Sequence, residues 1–474
     1  MKPETNKTEA EPTGLKKSLR LIYVYAIAAG AIFTFIGYWD TIFYEYCGPG
    51  TFLGFILMTL LILPIAMVYC ELAPLFPKAG GELIYNTVGI NKHVGFFSSW
   101  LIMAAWIAVP PSAVMAIVQW LFHVLHINSS FLLIEVVALV ALIGYCVLSL
   151  QNVEIAGKIQ LYMLMFAIAG CIVATVAFLF SGVWSFDNFK NFFYSQVKGE
   201  FGIAPWIIGM ALLITPFFGF ETVPQMVEEG DVPIKDSNKA ILGSIVSCGI
   251  VYSLFFFGLG GMPVQQLVEE GGAATNGFLA ITMMEQLGGG WSVFAVIFGV
   301  AAILCAIGTC LLGFWLSTVR LMYAMGENGF LPAAFTKVNK HQQPVLPNIL
   351  LLVISLVFLL LQNATTFMND FFNLMSFGCA CAYALTMISA MRIHRKHPEW
   401  ESPYHLKGGA FTRVLALIIA LVIAFFCTLG QSAGSWKSFA VYLGVGVVLW
   451  LWMVLFHWKK NKVVIETPTG PKEY

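Results

Sequence analysis

Two acidic residues lie where a membrane-crossing helix should carry no charge. Asp40 sits eight residues before the Gly48-Pro49-Gly50 turn, about 12 Å of helix rise. Glu221 closes the run Thr215-Pro216-Phe217-Phe218-Gly219-Phe220-Glu221, deep in another apolar stretch. A carboxylate at such depth costs several kcal/mol unless it is paired, protonated or solvated in a cavity. Each acid follows a glycine within three residues, Gly37 before Asp40 and Gly219 before Glu221. A glycine that breaks its helix would put each acid in the first turn of the next half-helix. There free N–H groups and the positive end of the helix dipole favour an anion.

Such an acid can cap the half-helix, attract an amine or carry a proton. These roles are compatible, because carriers build their sites at the ends of broken helices. The candidate substrate-binding residues are therefore Phe35, Gly37 and Asp40 at the first break, with Phe217, Gly219 and Phe220 at the second. Glu221 is the candidate coupling or gating group. Its apolar setting disfavours charge while the half-helix end favours it, which leaves it poised to titrate. Trp106, near the Pro110-Pro111 pair and its predicted kink, is a further lining candidate, with plain lipid-facing packing as the alternative. Aromatic rings around the breaks can hold an ammonium or simply pack. Glu45 and Glu135 read as rim charges near the outer face. His123 and His126 have metal-ligand spacing but no convincing third ligand, so no metal site and no cofactor is expected.

These residues need elements to hold them. The chain has 474 residues, 59% apolar and 11% charged, with a mean hydropathy of +0.82. Typical globular proteins are about 45–50% apolar and about 25% charged. This is the composition of an integral membrane protein. The formal charge is zero, so nucleic acid is excluded as a partner by the lack of a basic footprint. Ten cysteines scattered through apolar runs read as small buried hydrophobes. Twelve runs suit spanning helices: 21–43, 51–72, 95–122, 131–150, 159–182, 203–224, 239–262, 292–316, 347–362, 371–391, 412–430 and 439–457. The first run is too long for a cleaved signal. With the N-terminus inside, 22 Lys and Arg fall on inner segments and 3 on outer ones, so both termini are expected in the cytoplasm. Residues 1–18 and 458–474 read as polar cytoplasmic tails.

Three stretches then resemble the amino acid–polyamine–organocation permeases. Tyr69, Glu71, Leu72, Phe76, Pro77, Gly80, Gly81 and Tyr85 follow the family's YxELxxxFPxxGGxYxY pattern after span two. Phe217, Gly219, Phe220 and Glu221, followed by Glu228 and Glu229, are similar to its span-six motif. Arg320, Tyr323, Ala324, Met325, Gly329, Leu331 and Pro332 resemble its signature after span eight. The resemblance implies an all-α membrane protein of 12 transmembrane helices with the leucine-transporter-like fold. Its spans 1–5 (residues 19–182) and 6–10 (residues 203–391) would be inverted repeats, with spans 11 and 12 (residues 412–457) added. Spans one and six would be broken at the midplane, and the site would lie among spans 1, 3, 6 and 8. The family's span-six carboxylate falls on Glu221. Two departures stand out. Thr34, Phe35 and Ile36, which the resemblance makes substrate-binding candidates, replace the Gly-Ser-Gly that usually clamps a substrate carboxylate, and span five (159–182) lacks the lysine some members use for a coupling cation.

The expected function is secondary transport of small amino acids or organic amines by alternating access, proton-coupled or by exchange, in the plasma membrane. An enzyme would need a catalytic set, and no zinc-protease, phosphate-loop or Ser/His/Asp pattern is present. A channel or receptor would not need paired broken helices. The partners are then a small amino acid or amine, membrane lipid and protons, with oligomeric state left open. If Asp40 faces the cavity, it should favour amines over acidic amino acids.

Overall fold

A computed structural model describes residues 14–127, 130–231, 236–269, 278–364 and 367–474. The described chain is mostly helical. Nine of its helices are long and apolar enough to cross a membrane, and three shorter apolar ones, Leu21–Ile32, Val345–Leu361 and Ala410–Phe426, lie on the runs expected as spans one, nine and eleven. Helices suit these runs because a bilayer offers the backbone no partners, so each segment must bond within itself.

Burial sorts the helices into inner and outer ones. The Lys92–Val124 helix (span three) is 83% buried over its most apolar window, whereas Leu132–Ser149 and Ala433–His457 are 28% and 22% buried. The outer helices present Leu132, Val140, Tyr162 and Met165 to the surroundings, the faces that contact lipid tails. Pro110 and Pro111 sit inside the span-three helix, which runs unbroken.

Spans one and six are each divided. Span one consists of Leu21–Ile32 and Asp40–Cys47, with residues 33–39 non-helical between them. Span six starts as Pro205–Leu212 and resumes through short turns at Thr215–Phe217 and Phe220–Thr222 into Val223–Met226. Two short helices lie in connections: Glu82–Gly89 between spans two and three, and Leu279–Leu287 between spans seven and eight.

Two stretches differ from the sequence reading. The eighth span does not stop at 316; Gly308–Glu327 continues it, wound as a π-helix over Val300–Ile307 just before. Arg320, counted as a loop charge, is thus a fully buried helical residue. The C-terminal segment contains a hairpin, Val464–Thr467 paired antiparallel with Gly470–Glu473. Val463 and Ile465 are buried, and the Val464 N–H donates to the Asn328 carbonyl at 3.3 Å. Residues 1–13 of the N-terminal tail lie outside the described residues.

Candidate substrate site

The break in span one is held open by contacts from two other helices. Gly37 has φ +94°, and a Cβ there would come 2.8 Å from the Ala302 Cβ in the π-helical turn of span eight. Only glycine allows this conformation and this approach. Tyr252, on the Ser237–Gly260 helix, satisfies the backbone freed by the break. Its hydroxyl donates to the Ile32 carbonyl at 2.8 Å and accepts from the N–H groups of Thr34 and Phe35 at 3.1 and 3.2 Å. The N–H groups of Ile36 and Gly37 make no hydrogen bond among the described residues.

The second break touches the first. Gly219 has φ +152°, and a Cβ there would meet the Ala31 Cβ at 2.9 Å and the Ile32 nitrogen at 3.1 Å. Two residues on, Glu221 is completely buried. Its Oε2 accepts from the Gly219 N–H at 2.8 Å and from the Tyr383 hydroxyl at 2.9 Å. Its Oε1 accepts from the Trp106 indole N–H at 3.2 Å. One carboxyl group thus joins spans three, six and ten, with no basic residue among its hydrogen-bond partners.

The other sequence candidates divide. Trp106 is neither lipid-facing nor free; it is fully buried and bound to Glu221. Phe217 packs with its ring tilted against Phe55 and Tyr252, and Phe220 packs edge-on to Tyr69 and tilted against Tyr383. Thr34 turns its hydroxyl back onto the Gly30 and Ala31 carbonyls. Phe35 packs on Trp39 and Phe43. With Trp39, Glu45, Thr215 and Ser376 it also lines a cavity of about 680 Å³, which reaches both broken spans.

Asp40 does not join this group. Its carboxylate accepts from the N–H groups of Leu279 and Ala280 at 3.0 and 3.1 Å, and from Thr41 at 3.0 Å. It caps its own half-helix and the start of the Leu279–Leu287 helix together. Three backbone donors, two of them on another element, already hold its oxygens. Among the described residues no cluster of three metal-ligating side chains occurs; His123 instead meets Glu285 at 3.1 Å.

A second polar layer lies at the far ends of spans two, six and eight. Arg320 binds Glu229 through Nε and Nη2 at 2.7 and 3.0 Å and donates to Gln343 at 2.6 Å, all three side chains fully buried. The Glu229 carbonyl accepts from the Ser18 and Leu19 N–H groups, both at 2.9 Å. Lys78 pairs with Glu228 and Glu327 at 3.1 and 3.0 Å. Of the acid pair read in the sequence, Glu229 thus forms a buried cross-tie with Arg320, while Glu228 pairs with the partly exposed Lys78. Lys158, beside span five, pairs locally with Glu154 at 2.8 Å.

Sequence reasoning missed Tyr252 and Tyr383. Each is a lone tyrosine in an apolar run, and nothing local distinguishes it from packing. Their partners lie 217 to 220 residues away for Tyr252 and 162 for Tyr383.

A bundle of apolar helices with two interrupted members, meeting at a buried carboxyl, is the architecture of a multi-pass membrane transporter. The amino acid permease family model matches residues 19–451, and the chain belongs to that family, within the amino acid–polyamine–organocation group. Several curated relatives are similar along most of their length. The branched-chain amino acid permease BcaP of Lactococcus lactis is 23% identical over 338 residues, 68% of this chain and 70% of the relative. The glutamate/serine transporter AimA of Bacillus subtilis is 24% identical over 450 residues, 87% and 80%. The methylthioribose transporter of the same organism is 22% identical over 469 residues, 94% of each.

Proposed function

We propose that this transporter is a secondary carrier of small amino acids or organic amines, working by alternating access around the paired breaks of spans one and six. The carrying observation is the contact between the breaks, with Gly219 against Ala31 and Ile32 and the buried Glu221 tied to spans three and ten. In this reading the twelve apolar segments all cross the membrane. Spans 1–5 and 6–10 are inverted repeats, and both termini lie in the cytoplasm of a plasma-membrane protein. Thr34, Phe35, Ile36, Gly37, Phe217, Gly219 and Phe220 surround the substrate. The commitment of Asp40 to Leu279 and Ala280 favours a zwitterion over a purely cationic amine. The unbonded N–H groups of Ile36 and Gly37 suit a substrate carboxylate despite the missing Gly-Ser-Gly. The carbonyl end of Leu21–Ile32 suits its ammonium. The names of the relatives, mostly amino acid transporters with a methylthioribose carrier among them, support the class and leave side-chain preference to experiment.

Glu221 is the proposed gating and coupling group. Gaining a proton, which weakens its oxygens as acceptors, or losing its donors would loosen spans three and ten from span six. A thermal-shift screen of purified protein against amino acids, amines and polyamines tests the substrate class. A ligand at a hundred times its Kd should stabilise by about 2.7 kcal/mol. Stabilisation by polyamines alone would refute the zwitterion reading. Glu221→Gln should flatten the pH profile of uptake; an unchanged profile would make Glu221 a structural tie only.

A further inference from the structure

Another buried carboxyl group lies beyond Glu221. Glu82 opens the short helix Glu82–Gly89 in the connection between spans two and three, and its side chain has no exposure. It follows Gly80 and Gly81, at φ +131° and +40°. This tight turn brings the chain against Gln225 on the second half of span six: a Cβ on Gly81 would come 2.8 Å from Gln225 Nε2. That nitrogen donates to Glu82 Oε2 at 3.4 Å, a long bond. Glu82 Oε1 and Gln225 Oε1, both completely buried, have no hydrogen-bond partner. Among the described residues Glu82 makes no ion pair.

The groups facing Glu82 are all acidic or neutral. Tyr69 on span two, Tyr85 on its own helix, Glu221 on span six and Cys379 on span ten interact with it electrostatically. Tyr69 interacts with both Glu82 and Glu221, although its hydroxyl lies outside hydrogen-bond geometry. Glu221 has three good donors and can be anionic here. Glu82 has one weak donor, and an anion so poorly solvated costs several kcal/mol. A protonated carboxyl group removes that charge and carries a hydrogen of its own to donate.

We propose that Glu82 is a proton-binding site of the carrier. It holds a proton while span six is packed against the Glu82–Gly89 helix and releases that proton to water when the Gln225 contact opens. The proposal rests on the carrier reading above. Burial pushes the Glu82 carboxyl up to about 8 with Gln225 packed against it, against the opposing influence of Tyr69. The proton therefore stays on at neutral pH and leaves as pH rises past that value.

The test uses purified full-length protein, wild type and Glu82→Gln, in proteoliposomes with whichever of labelled leucine, serine or glutamate the wild type exchanges. Counterflow, which needs no net proton movement, should persist in Glu82→Gln, while accumulation driven by a pH gradient should fall at least tenfold. Infrared pH titration of the substrate-free protein is the second readout. A protonated-carboxyl band lost above about pH 8 should be present in wild type and Glu221→Gln and missing from Glu82→Gln. Full pH-driven accumulation in Glu82→Gln overturns the proposal, as does survival of that band. If Glu82→Gln loses counterflow too, the infrared titration decides. Absence of counterflow in the wild type would instead refute the carrier reading, while wild-type counterflow without any pH-driven accumulation refutes Glu82 as a coupling site.

Discussion

Replacing Gly219 by alanine puts a methyl group where the two broken spans touch. The new Cβ would sit 2.9 Å from the Ala31 Cβ and 3.1 Å from backbone atoms of Ala31 and Ile32. Backbone cannot swing aside like the end of a side chain, so one half-helix must shift. Overpacking of this kind costs about 1–3 kcal/mol. Holding alanine at φ +152° adds about 1–3 kcal/mol of backbone strain. The total, about 2–6 kcal/mol, lowers the population of the packed arrangement by a factor of about thirty or more. Gly144→Ala supplies the control: its Cβ would meet nothing within 4 Å on an outer helix, and losing a helical glycine stabilises by about 0.5–1 kcal/mol. Thermal melts in detergent, read by size-exclusion recovery, should rank Gly144→Ala at or above wild type and Gly219→Ala well below. Uptake should fall with Gly219→Ala alone. Wild-type melting and uptake for Gly219→Ala would refute the idea that the breaks meet at this glycine.

Asp40→Asn keeps the shape but loses an acceptor for Leu279 or Ala280, at about 1.5–3 kcal/mol. It should lower the melting temperature without changing the order in which cationic, neutral and acidic amino acids compete for uptake. A selective loss of cationic competitors would return Asp40 to the substrate site. Arg320→Met leaves the fully buried Glu229 without its fork, which costs about 3–5 kcal/mol. Folded protein recovered from membranes should drop sharply, and a wild-type yield and melt would contradict a buried cross-tie. Cysteine-accessibility tags at Lys437 and Lys396 should report from opposite faces of the membrane; labelling of both from one side would overturn the proposed topology.

Much of the bundle was legible because lipid exposure leaves a simple mark, a long apolar run without charge. The two breaks were also legible, since a glycine followed by an acid is costly in a continuous buried helix. Both glycines do sit at positive φ in interrupted backbone. Side-chain direction was not legible. Asp40 and Glu221 have the same local grammar, yet one caps a neighbouring loop helix and the other joins three spans. What separates them is the tertiary position of Leu279, Trp106 and Tyr383, which no local pattern encodes. Arg320 looked like a loop charge because its helix outruns the apolar part of span eight, and Glu229, 91 residues away, supplies the counter-charge that makes it tolerable inside. The C-terminal hairpin was read as a tail because two four-residue strands are marginal alone. It draws support from contacts with the end of span eight.

Counterflow in proteoliposomes tests the central claim most directly. Vesicles loaded with unlabelled amino acid and diluted into trace label should accumulate that label transiently and saturably for at least one of leucine, serine and glutamate. Gly219→Leu, inserted to the same level, should abolish the accumulation. A flux that does not saturate or shows no dependence on internal amino acid, or one that survives Gly219→Leu unchanged, would contradict a carrier built on the paired breaks.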